Sequence, residues 1–179
     1  MIFALIGGLI MLALLFVDLI TKAWAYAAQI QQSSYFLGFI KWNYLPGGNT
    51  GIAFGMFSNT EVAMTVITIF TVLMIIGIGV LFFTIFKKNR PAQICLAVIE
   101  AGAIGNLIDR ILLGYVRDFV DVSRLGFGIC NFADFYITFG AVALFIIVLF
   151  VGKEAIIPLG KWRKQRDSQS QEKENHEKD

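Results

Sequence analysis

Two carboxylates, Asp118 and Asp134, flank one short connection late in the chain. Carboxyl groups brought close together cannot both ionise cheaply, so one keeps a proton while the other is an anion. Such a pair can take a proton from water as that water attacks a carbonyl, and can return one to a leaving amine. Further polar residues accompany them. Asn49 lies in a Gly47-Gly48-Asn49-Thr50-Gly51 loop, Asp121 follows Asp118, and Asn131 precedes Asp134. Asn106, Asp109 and Arg110 share a helical face at i, i+3 and i+4, and Asp18 and Lys22 stand at i, i+4, where they can pair. Donors such as Asn49, Asn131 or backbone N–H groups can hold a substrate backbone or stabilise developing negative charge.

Each of these residues also has a plainer reading. Asn131 or Asp134 is a helix N-cap, and Asp118 is a loop carboxylate. Asp18 and Lys22 tie a helix end to the lipid headgroup level. Arg110, with five donors, clamps Asp109 to a loop carboxylate or to carbonyls. The single His, His176, falls in a polar tail, which excludes His-dependent catalysis and His metal sites. Cys95 and Cys130 make neither a disulfide framework nor a zinc site, so neither metal nor cofactor is expected.

These residues must be positioned by membrane-spanning helices. The chain is one domain's worth of material, 57% hydrophobic and 16% charged, against roughly 45–50% and about 25% for soluble domains. Its apolar residues fall in runs of the length needed to cross a bilayer core, about 20 residues. Four runs qualify, from about Ile2 to Tyr26, Val62 to Phe86, Ala92 to Leu113 and Phe135 to Ile157. The first lacks a basic flank and is too long for a cleaved signal segment, so an uncleaved span is expected.

Lys87, Lys88 and Arg90 form one basic cluster and Lys161, Arg163, Lys164 and Arg166 another. Two crossings separate them, so they share a side, which the positive-inside rule makes cytoplasmic. Both termini are then inside, and the loops at about 27–61 and 114–134 face outward. The expected fold is an all-α integral membrane bundle of four helices with a small extracytoplasmic loop subdomain that has room for some β structure. Residues 1–160 form it, and 161–179 make a basic, then mixed-charge, disordered tail. Ionisable groups within spans are costly and mark function, and here they converge on the outer face. Glu100 stands apart in mid-span, expected to be uncharged or paired with another span. Trp42, Tyr44 and Phe54 are candidate interfacial anchors.

Several motifs in order resemble the lipoprotein signal peptidase (signal peptidase II) family. They are Asp18-Leu-Ile-Thr-Lys22, Asn49-Thr-Gly-Ile-Ala-Phe-Gly55, Gly105-Asn106-Leu-Ile-Asp109-Arg110, Gly114-Tyr-Val-Arg-Asp118-Phe119 and Asn131-Phe-Ala-Asp134. The resemblance covers about residues 10 to 150. It implies a bacterial inner-membrane aspartic endopeptidase, with Asp118 and Asp134 as the catalytic dyad. Asn49, Asn106, Arg110 and Asn131 would line or support the site, and Asp18, Lys22, Asp109 and Asp121 would be structural. The implied substrate is a prolipoprotein cut on the N-terminal side of its diacylglyceryl-modified Cys. The implied partners are that substrate and membrane lipid, with no nucleic acid, and the chain would be a monomer. Two positions depart from the family pattern: Glu100, expected apolar, and Cys130, expected Phe.

On chemistry alone two other classes stay open. A small transporter would use the in-membrane acids, Glu100 above all, although the polar groups gather at one face and form no path. An assembly subunit would use the motifs only to clamp helices. Serine, metallo- and presenilin-like intramembrane proteases fit poorly, because their partner residues or motifs are missing.

Overall fold

The computed structural model describes residues 2–51, 61–87 and 89–151. Four helices dominate it: α1 (Ile2–Ala28), α2 (Glu61–Phe83), α3 (Arg90–Leu113) and α4 (Phe132–Ile146), the last continued by a π turn over Ile147–Val151. Three are long and apolar enough to cross a membrane, over Leu5–Ala28, Val62–Phe83 and Phe132–Leu149. Helix α3 is equally long, but it turns Glu100, Asn106, Asp109 and Arg110 into its sequence and is the helix on which the other three pack. The result is the expected four-helix membrane bundle. Its lipid-facing surfaces carry large apolar side chains such as Leu9, Phe16, Phe70 and Phe145.

Local signals set the ends of α3. The Asn89 side chain accepts from Ala92 N at 3.1 Å, Pro91 follows in the first turn, and Gly114 closes the helix in a left-handed conformation. Its buried residues include Ala92, Ala97, Ala101, Gly102, Ala103 and Gly105, small groups that let neighbouring backbones approach. A Cβ on Gly102 would run into the Ala133 carbonyl and Ile137 of α4, and one on Gly105 would strike the Asp18 carboxylate of α1. Towards the other end, Leu96, Ala97 and Ile99 pack with Ile78, Phe82 and Phe86.

Above the helix ends sits a three-stranded antiparallel sheet of β1 (Lys41–Trp42), β2 (Val120–Asp121) and β3 (Ile129–Cys130), with β2 central. Lys41 pairs with Asp121 and Asp121 with Ile129; Trp42 pairs with Val120 and Val120 with Cys130. Phe119, Val120, Val122 and Tyr44 are buried against Ala25 of α1, with Trp42, Phe132 and Phe135 packed around them. Trp42 stacks on Phe119 at 6.1 Å, and the Phe132 ring stands edge-on to both. Tyr44 is therefore no interfacial anchor. At 2% exposure it is a core residue of the sheet, because the 43–45 segment bonds along Phe119 and Asp118. Phe54 and the segment 161–179 lie outside the described residues.

Close approach at Gly102 sets the spacing of α3 and α4. Gly102→Val should lower the melting temperature in detergent by an amount corresponding to about 1–3 kcal/mol, the range for overpacking. Circular dichroism on heating would check this, with Gly77→Val, which meets open space, as control.

Candidate active site

The segment 116–121 is held on both sides. Asn49 and Val116 exchange backbone bonds at 2.8 and 2.9 Å, Leu45 N donates to Asp118 O at 2.9 Å, and Phe119 N donates to Cys130 O at 2.9 Å. Gly47 and Gly48, both at positive φ, make the turn that returns Asn49 onto Val116. Asp118 is thereby fixed in a buried extended segment at 1% exposure. Its Oδ2 accepts from Asn49 Nδ2 at 2.8 Å and its Oδ1 from Asn131 Nδ2 at 2.6 Å.

Asp134 arrives from α4. Asn131 is the N-cap of that helix and Asp134 its third residue, and the two form a capping box. Asn131 Oδ1 accepts from Asp134 N at 3.1 Å, while Asp134 Oδ2 accepts from Asn131 N at 3.0 Å. The capping reading and the proximity to Asp118 are thus both true of Asn131, because its amide oxygen serves the helix and its amide nitrogen serves Asp118. The second Asp134 oxygen, Oδ1, accepts from Asn106 Nδ2 at 2.8 Å.

The three amides share one logic. In each, the carbonyl oxygen is occupied elsewhere, so the NH₂ group must face an acid. Asn49 Oδ1 accepts from Gly51 N at 2.9 Å and Asn106 Oδ1 from Lys22 Nζ at 2.8 Å. Lys22 is a donor only, which fixes which end of Asn106 it can meet. It is fully buried, bonded to Asp18 Oδ2 at 2.7 Å and 4.0 Å from Asp109 Oδ2. Asp18 Oδ1 in turn accepts from Ala133 N at 3.0 Å, in the first turn of α4. The Asp18–Lys22 pair forms as its spacing allows, fully buried between α1, α3 and the first turn of α4.

Arg110 does not clamp Asp109. That carboxylate is taken by Arg117, through its backbone N at 2.9 Å and Nη2 at 2.6 Å, with Nε at 3.2 and 3.1 Å. Arg117 was not singled out in the sequence, although it stands inside the motif that ends on Asp118. The loop after α3 folds back so that residue 117, and not the neighbour on the helix, reaches Asp109. Arg110 Nε is buried with no hydrogen-bond partner among the described residues, and its charge lies among Asp134, Asp118 and Asp109. Asp121 belongs to the sheet, bonded to the Ser123 hydroxyl and N–H and 3.5 Å from Lys41 Nζ. Glu100 makes no hydrogen bond or ion pair among the described residues and faces Gly79 of α2.

Electrostatics single out Asp118. Burial, and then the neighbouring Asp134 charge, push its carboxyl up to about 7, against the opposing bonds from Asn49 and Asn131. Asp121 goes the other way. Burial would raise it, but the Ser123 bonds, Asn43 and Lys41 outweigh that and hold it below the usual range. Burial and the Asp134 and Asp118 charges push the Cys130 thiol up to about 12, so it stays protonated beside the site. No group of His, Cys, Asp and Glu suited to a metal ion occurs among the described residues.

The site is therefore two adjacent carboxyls, one with a pKa near neutrality, each held by two donors, beside a guanidinium whose Nε is unpartnered among the described residues. Comparison with known proteins gives this arrangement a context. The family model described as signal peptidase (SPase) II matches residues 10–150. A lipoprotein signal peptidase of Caldanaerobacter subterraneus subsp. tengcongensis is 42% identical over 106 residues, covering 58% of this chain and 68% of that protein. That of Streptococcus agalactiae serotype V is 32% identical over 143 residues, 77% of this chain and 88% of its own length. A bacterial membrane enzyme solved by the in meso method at 2.3 Å superposes with a TM-score of 0.70 at 28% identity, over 83% of this chain and 88% of that one. With its family model spanning all four helices and the sheet, this chain belongs to the signal peptidase II family.

Proposed function

We propose that this chain is an aspartic endopeptidase that removes signal peptides from prolipoproteins, with Asp118 and Asp134 as its catalytic pair. The coarser part follows from the family: the chain is a bacterial membrane protease of signal peptidase II type. The observation that carries the finer part is that Asn131 joins the two acids, donating to Asp118 through Nδ2 and to Asp134 through its backbone N–H, while burial and Asp134 push the Asp118 carboxyl up to about 7. Two such acids share a proton near neutral pH, as general acid–base hydrolysis requires.

In this reading the ionised member takes a proton from water, and the hydroxide formed attacks the scissile carbonyl. The protonated member hydrogen-bonds the carbonyl oxygen, and a proton then passes to the leaving amine as the C–N bond breaks. The products are a signal peptide ending in a carboxyl group and a lipoprotein with a free N-terminal amine. The Asn49 and Asn131 amide donors already serve Asp118, so Arg110 is the donor left for substrate carbonyls. Cleavage on the N-terminal side of a diacylglyceryl-modified Cys suits a site at the helix ends, since the lipid would hold that bond at the bilayer surface. Extracytoplasmic placement, with both termini inside, rests on the basic clusters. The chain is taken as a monomer with membrane lipid around it. A channel reading gains nothing here, because Glu100 is remote from the polar cluster and joins no path among the described residues.

Asp118→Asn and Asp134→Asn should each abolish cleavage of a diacylglyceryl-modified precursor while the protein still inserts and folds; full activity in either variant sinks the pair. Asp121→Asn should retain substantial activity. Lys22→Met leaves Asp18 buried without its cation, a change in the range of about 3–5 kcal/mol. It also frees the Asn106 amide to turn. Thermal unfolding and kcat should both fall, and Asp18→Asn combined with Lys22→Met should recover stability more than kcat.

The raised Asp118 pKa has a definite sign. The folded state holds the proton more tightly than the unfolded chain. The stability it contributes is therefore complete below pH about 4 and lost as pH rises towards about 7. Between pH 5 and 8 the melting temperature of wild type should fall relative to that of Asp118→Asn, and cleavage should decline above pH about 7 as the shared proton leaves. A flat difference across that window would remove the coupling.

A further inference from the structure

Two turn tips project from the end of the sheet remote from Asn131, where α4 begins. The first is closed by Phe36 N donating to Ile40 O at 2.6 Å and Ile40 N to Phe36 O at 3.1 Å, with Leu37 and Gly38 at the apex. The second is the single turn Ser123–Leu125, closed by Gly126 N donating to Ser123 O at 3.0 Å. Although 86 residues apart in sequence, the tips are fastened to one another. Arg124 Nη1 donates to Gly38 O at 2.8 Å, and the Arg124 guanidinium lies 4.0 Å from the Tyr35 ring centre. Lys41 Nζ sits 5.1 Å from the same ring.

This joined edge exposes what a water-facing edge avoids. Phe36, Leu37 and Leu125 are 63%, 68% and 53% exposed. Leu37 holds φ 50, a left-handed conformation that favours Gly or Asn, so an apolar side chain is kept at an apex where it is both strained and uncovered. The charges beside it are cations, Arg124 and Lys41. The nearest sheet carboxylate, Asp121, is already occupied by Lys41, Ser123 and Asn43.

The location decides what covers this edge. The sheet lays Trp42, Val120 and Val122 over Ala25 of α1 and over Phe132 and Phe135 of α4. One candidate span ends at Ala28 and another begins at Phe132, so a sheet packed on Ala25, Phe132 and Phe135 lies at the level of the span ends, and its tips extend from that level. Apolar tips flanked by Arg and Lys, with aromatic rings between, match the lipid interface, where acyl chains take the first and phosphates the second.

We propose that the Phe36–Leu37 and Leu125 tips form a single anchor inserted in the leaflet beside the site, with the exposed Arg124 facing lipid phosphates. The anchor would fix the depth of the sheet. Since β2 follows directly on Asp118 and β3 leads directly into Asn131, it would also set the height of the polar site against the bilayer surface. This goes beyond the proposed reaction and holds whatever bond the site cleaves.

The test uses the full chain in vesicles of phosphatidylcholine and phosphatidylglycerol. Nitroxide labels are placed at Leu37→Cys or Leu125→Cys, in a Cys95→Ala, Cys130→Ala background that retains its helical circular dichroism. The anchor requires both labels to be more accessible to oxygen than to a water-soluble nickel chelate, and Leu37→Asn to make the label at 125 shallower without lowering the melting temperature. Labels at both tips open to the nickel chelate would overturn it. So would dipolar broadening between labelled chains, which would mean that a second copy covers the edge, or a Leu37→Asn variant that melts early with the label at 125 unmoved.

Discussion

Everything around the two acids depends on one buried ammonium. Lys22 is fully buried, so its charge must be met by protein oxygen, and the oxygens come from three places: Asp18 on its own helix, Asn106 on α3, and Asp109 at 4.0 Å. A buried charge left unpaired is far more costly than a loose contact, so this requirement sets the register of α1 against α3 more firmly than apolar packing would. It also acts at a distance. By taking Asn106 Oδ1 it turns the Asn106 NH₂ towards Asp134, and through Asp18 it reaches the Ala133 N–H at the start of α4.

The helix ends and the sheet extend the same economy. The capping box of α4 satisfies orphan N–H groups, which any helix needs, and here it also orients both acids. Asn131 links the cap to Asp118, and Asp134 is itself the capping carboxylate. On the other side, Arg117 binds Asp109 at the base of the loop, so the chain leaving α3 is pinned before it reaches Asp118. Asp118 is then clasped between the 43–49 segment and β3. Few of these groups can relax independently. That rigidity is what allows two carboxyls to be kept together, out of water, at the cost to stability that a raised pKa implies.

Much of this was legible along the chain, because apolar run length and polar spacing are local properties. The first three helices begin and end within about three residues of the runs that announced them. Helix α4 begins three residues before its run, whose far end lies outside the described residues. The i, i+4 spacing of Asp18 and Lys22 is enough to pair them. The partner of Asp109 was not legible. Arg110 is the obvious neighbour by helical spacing, but Gly114 ends α3 and reverses the chain, and only that turn brings Arg117 within reach. Tyr44 has the type and loop position of a surface anchor, as aromatic residues in outer loops often are. Its burial follows from pairing with a segment more than 70 residues away, which periodicity cannot show.

The sequence by itself determined a four-helix membrane protein, its polar cluster and the family it resembles, because each rests on hydropathy, on charge or on short ordered motifs. The tertiary structure decided which side chain meets which. It put Lys22 on Asn106, Arg117 on Asp109, and Asn131 between the two acids, and it left Arg110 Nε without a partner among the described residues. The reason is physical: a hydrogen bond is settled over about 3 Å by the meeting of elements remote in sequence, whereas the tendency to span a bilayer is settled residue by residue along one of them.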